Sequence, residues 1–96
     1  MSDLTEMWIA LERYQPYADE DGHGESWKRM TTERTAEATK SAADVAWEDA
    51  WNAGRSVWEA PYVAAMFAAR AVSSAEPERF ANRAIEEITR AMEVQP

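Results

Sequence analysis

Residues 14 to 34 differ in character from the rest of the chain, gathering aromatic, basic and hydroxyl side chains in one segment. Tyr14, Tyr17, His23 and Trp27 are rings that can stack on a nucleobase. Lys28, Arg29 and Arg34 are cations that can meet phosphate, and Thr31 and Thr35 add hydroxyls. Helical spacing puts Trp27, Thr31 and Arg34 on one face, so that a flat ring, a hydroxyl and a guanidinium point the same way. Such a set suits a small anionic nucleotide. The plainer alternative is that the rings pack this segment against the first helix while the cations pair with Glu25 and Glu33.

Other constellations offer less. Asp19-Glu20-Asp21-Gly22-His23-Gly24 opens like a calcium loop, with acids at its first and third places and glycine at its sixth, but the place of the closing bidentate Glu is taken by Met30. It reads as a solvated turn, and no metal is expected. His23 has the chemistry of a general base, yet the chain holds no Cys and no Gly-x-Ser-x-Gly nucleophile for it to activate. The carboxylate pairs Glu48-Asp49 and Glu86-Glu87 sit on polar faces of the helices described below. Neither an enzymatic activity nor a cofactor is expected.

The formal net charge of −8 disfavours direct binding to nucleic acid or to anionic membranes. Glu33, Glu37, Asp44, Glu48 and Glu59, with Asp19 to Asp21, can instead imitate a phosphate track and enter the basic groove of another protein. Lys40, Arg55 and Arg70 dilute that track, and surplus acid also serves solubility alone. No run approaches the roughly 18 apolar residues of a membrane span, and Ser2, Asp3 and Glu6 do not resemble a signal peptide. The expected location is cytoplasmic.

Helices must position all of these groups. Asp3 and Glu6 mark a helix start, and Leu4, Met7, Trp8, Leu11 and Tyr14 follow at three- and four-residue spacing, giving a first helix over about 3–15 that Pro16 ends. Residues 16–25 read as a loop with an Asp-Gly turn. From 25 to 59 there is no Pro and one Gly among good helix formers, which predicts one long central helix of roughly 50 Å. Pro61 opens a third helix over 61–74, and Pro77 a fourth over 77–94 with an apolar stripe of Phe80, Ala84, Ile85, Ile88, Ala91 and Met92.

The long helix carries a seam of small residues, Ala43, Ala46, Ala50, Ala53, Val57 and Ala60, with Trp47, Trp51, Gly54 and Trp58 beside it. The third helix offers Ala64, Phe67, Ala68, Ala71 and Val72 in reply. These two helices are expected to form an antiparallel hairpin, duplicated in a homo-oligomer that buries the tryptophans. A chain of 96 residues without disulfides has a modest core, and self-association would enlarge it.

Arg13-Tyr14-Gln15-Pro16-Tyr17, the Asp21-Gly22 turn and Glu25-Ser26-Trp27-Lys28-Arg29-Met30 together resemble a helical-hairpin family of small phage proteins. In that family a Tyr-His-Pro-Pro run and an Asp-Gly turn precede an aromatic-Glu-x-Ile-Arg helix start. Its members include oligomeric sponges for the cyclic nucleotides of bacterial antiviral signalling. The resemblance implies that Tyr14 is an aromatic contact and Lys28 or Arg29 a phosphate contact. The resulting expectation is a single all-α domain of three or four helices that acts, without catalysis, as a phage anti-defence protein sequestering a nucleotide signal. The alternatives are an acidic inhibitor of the anti-CRISPR or anti-restriction type that binds a host defence protein, and a self-associating structural or assembly protein.

Overall fold

In a computed structural model, residues 3–55 and 60–94 are described, and among them all regular structure is helical. The six helices are α1 (Asp3–Arg13), α2 (Gln15–Asp21), α3 (Gly24–Glu33), α4 (Ala36–Asn52), α5 (Ala60–Ser73) and α6 (Pro77–Val94). They close a ring around one core: α1 packs on α6, α6 on α5, α5 on α4, α4 on α3 and α3 on α1, with α2 set against α3. Met7 and Leu11 of α1, Trp27 and Met30 of α3, Ala42 and Ala43 of α4, Ala64 and Ala68 of α5, and Ala84 and Ile88 of α6 fill the centre. None of the helices is long and apolar enough to cross a membrane.

The single rod over 25–59 does not exist, and the molecule, 36 Å in its longest dimension, has no room for one. The chain breaks at two residues that are neither Gly nor Pro. Arg34 takes a left-handed conformation (φ 56°, ψ 35°) and its N–H reaches the Met30 carbonyl. Thr35 is extended (φ −104°, ψ 158°), and its hydroxyl accepts the Ala38 N–H at 3.1 Å, capping α4. A left-handed non-glycine residue costs on the order of 1–2 kcal/mol. Contacts from Arg34 to α1, described below, offset that cost. Thr35→Ala removes the cap and is expected to destabilise the fold by about 1 kcal/mol, read from urea midpoints; an unchanged midpoint would show that the break does not depend on the hydroxyl.

The far end of the expected rod also differs. Gly54 is left-handed (φ 74°), its N–H bonds the Trp51 carbonyl and Arg55 N–H bonds the Ala50 carbonyl at 2.8 Å, a Schellman closure that ends α4. Gly22 (φ 96°) closes α2 the same way, with His23 N–H on the Ala18 carbonyl at 3.0 Å. The expected loop over 16–25 therefore contains a short helix, and Pro16 sits in its first turn, where a missing N–H costs little. The first helix stops at Arg13, whereas the third and fourth expected helices match α5 and α6 within a residue. Pro61 is the second described residue of α5.

The hairpin is α4 with α5. Lys40 near the start of α4 shares a surface depression with Ala69 and Ser73 at the end of α5, so the two run antiparallel. Within the expected seam, Ala43, Ala46 and Ala50 are buried. Ala53 and Gly54 lie beyond the helix and are exposed, and Val57 and Trp58 fall outside the described residues. Trp47 and Trp51 are not buried in the monomer. Alanine supplies most of the packing around α5, where Ala64, Ala65 and Ala68 are fully buried, so the helix axes come close together.

Candidate functional site

The residues singled out for nucleotide binding are brought together, but mostly inward. Tyr14 and Trp27 are 1% and 0% exposed, and His23 and Thr31 are also buried. The rings face one another: centroids lie 5.1 Å apart for Tyr14 and Trp27, 5.4 Å for Tyr14 and Tyr17, and 5.9 Å for His23 and Trp27. Trp27 Nε1 donates to the Leu11 carbonyl at 2.7 Å, which ties α3 to α1. Thr31 Oγ1 donates to the Lys28 carbonyl. This is the core of the α1–α2–α3 corner, and neither Tyr14 nor Trp27 turns an open ring face to solvent.

His23 is held at the entry to α3 by its own surroundings. Its Nδ1 lies 3.2 Å from Asp49 Oδ2, which ties the α2–α3 junction to α4, while Nε2 is buried without a hydrogen-bond partner among the described residues. Arg55 and Asp21, 3.8 Å apart, add a second link between the same elements. Gln15 Nε2 donates both to Asp19 and to the Gly24 carbonyl. Gly24 has to be glycine, because a Cβ there would stand 2.9 Å from the Asp19 Cα. Asp19 and Asp21 are thus employed in the turn, and no group of three or more metal-ligating side chains is present among the described residues.

The cations of this segment separate. Arg34 lies past the end of α3, where its Nε donates to the Thr31 carbonyl at 3.0 Å. Its guanidinium pairs with Glu12 at 2.9 Å and sits over the Trp8 ring, 5.9 Å from the centroid. Arg29 is paired with Glu33 at 2.9 Å. Lys28 is exposed beside a shallow depression of about 410 Å³ lined also by Glu12, Gln15, Asp19, Thr31 and Thr32. Two carboxylates in that lining oppose an anionic ligand.

A different surface stands out on α4. Its inner face is Ala42, Ala43, Ala46 and Ala50; three- and four-residue steps along the opposite side place Asp44, Trp47, Glu48 and Trp51 together. The two indoles stack nearly parallel, 7° between planes and 5.6 Å between centroids. Trp51 is 65% exposed and Trp47 37%. Asp44 and Glu48 are exposed and, among the described residues, take part in no ion pair or hydrogen bond. Large rings held in the open next to unpaired carboxylates are the composition of an interface anchor, since Trp dominates binding energy where proteins meet. Sequence reasoning named both tryptophans and expected a homo-oligomer to bury them; what it did not join to them is Asp44 and Glu48, which interleave with them on the same helical stripe.

Compared with protein-family models, with curated proteins and with solved structures, the chain matches none.

Proposed function

We propose that this protein is a non-catalytic binder that captures a basic protein partner through the outer face of α4. One observation carries the reading: the exposed Trp47–Trp51 stack flanked by Asp44 and Glu48, which pair with no other described residue. The stack supplies apolar area and the carboxylates supply the sign of the partner's charge, in a chain whose net charge is −8. A setting for such capture is the alternative weighed above, inhibition of a host defence protein by direct contact. Sequestration of a nucleotide through residues 14–34 has less to support it, because Tyr14, His23 and Trp27 are occupied in the core and Arg34 is bound by Glu12.

The test is charge reversal at positions far from the core. Immobilised wild-type protein and the Asp44→Lys/Glu48→Lys variant are compared for what they retain from host lysate, with retained species identified by mass. A protein held by the wild type and lost by the variant, at equal helicity and unfolding temperature, supports the reading. Equal retention by both would sink it.

A further inference from the structure

We infer that the group anchoring the partner on α4 is an arginine side chain, its guanidinium lying on the Trp47–Trp51 stack and forking to Asp44 and Glu48. This inference rests on the proposal that α4 is the binding face and names what that face recognises. The chain itself shows the chemistry twice. On α1, Trp8 and Glu12 stand one helical turn apart and hold Arg34 between them, the guanidinium 5.9 Å from the ring centroid and 2.9 Å from the carboxylate. On α6, Arg83 lies 5.2 Å from the Phe67 centroid, 3.5 Å from Glu86 and 3.8 Å from Glu87. In both places a ring and a carboxylate bracket a planar cation.

The α4 stripe brings the same kinds of group together, two rings and two carboxylates, with the carboxylate placed before the ring. Asp44 precedes Trp47 by three residues and Glu48 precedes Trp51 by three, so each indole has a carboxylate one turn away. Among the described residues neither ring carries a cation of the chain's own. Arginine suits the place better than lysine: its guanidinium is flat, stacks on an indole face and presents parallel N–H groups to a carboxylate, whereas an ammonium is a strongly hydrated point charge. The occupant is a segment of another protein and not a second copy, because two chains of net charge −8 repel and a basic segment is drawn in.

The experiment uses the full chain, labelled with ¹⁵N, and follows the indole N–H signals of Trp47 and Trp51 during titration with three short peptides. These alternate glycine with arginine, with lysine or with citrulline, the uncharged isostere of arginine. The arginine peptide is expected to shift both signals saturably, the lysine peptide to bind several-fold more weakly and the citrulline peptide to leave the signals unmoved. Trp51→Ala and Asp44→Asn/Glu48→Asn are each expected to weaken the arginine peptide about tenfold, with the unfolding temperature unchanged. Equal affinity for the arginine and lysine peptides, or undiminished binding by both variants, overturns the arginine anchor. That outcome leaves the α4 face itself standing if Asp44→Lys/Glu48→Lys still loses its protein partner. Sedimentation of the protein alone as a dimer that Trp51→Ala dissolves overturns the inference in favour of a second copy.

Discussion

Trp27→Ala is expected to be the most damaging single substitution, lowering stability by about 3–5 kcal/mol and the unfolding temperature by about 15–30 °C. Among the described residues Trp27 is the largest fully buried side chain, and with Tyr14 and His23 it fills the corner between α1, α2 and α3. Its removal opens a cavity lined by Tyr14, His23 and neighbouring core residues. It also takes the Nε1 donor from the Leu11 carbonyl, a bond formed across 16 residues of sequence. A domain of this size has roughly 5–15 kcal/mol to lose, so the variant stands near the edge of folding. Trp27→Phe keeps most of the volume and isolates the hydrogen bond, with an expected cost of about 1–3 kcal/mol. Urea and thermal unfolding of the pair checks this. A loss under about 1 kcal/mol in the alanine variant would mean that the aromatic corner is not what joins α3 to α1.

Ala68→Leu is the second large effect, of the opposite kind. Ala68 is fully buried on α5, the helix that packs against both α4 and α6. Ala43 on α4 and Ala81 and Ala84 on α6 share its core cluster with the larger, fully buried Met7, Leu11 and Ile88, so added volume meets a filled interior. Three added carbons must push the helices apart, and overpacking of this sort costs about 1–3 kcal/mol, more where the backbone has to shift. Val63→Leu on the half-buried outer side of the same helix serves as the control, adding a carbon where space is open. Equal urea midpoints for Ala68→Leu and wild type would show that the alanine contacts are loose.

How much of this was readable from residues alone differs by element. The all-helical class, α1, α5 and α6 were legible because their signals are local: an apolar period near 3.6, Pro61 and Pro77 as start signals, and an acidic start at Asp3. Gly54 was legible only in principle. A glycine inside a helical run reads equally as an interior residue or as a left-handed stop, and the choice depends on whether Arg55 N–H closes on Ala50. The break at Arg34–Thr35 was hidden because a threonine cap is worth about 1 kcal/mol and no Gly or Pro marks the position. What tips the balance is Arg34 reaching Trp8 and Glu12 on a helix 22 residues earlier.

The candidate site divides along the same line. Local spacing grouped Tyr14, Tyr17, His23 and Trp27 as neighbours, and they are neighbours. Spacing does not say whether a ring cluster turns toward solvent or toward the core. On α4 the apolar residues extend around more of the helix than one partner can cover, so either the alanines or the tryptophans had to be left outside. Packing settled this, because α4 lies against both α5 and α3 with Ala43, Ala46 and Ala50 buried and Trp47 and Trp51 left in the open. The sequence by itself determined which residues share a helix and a stripe, a matter of covalent spacing. Which stripe faces inward was decided only when the helices closed their ring, because burial depends on the neighbour that covers a face.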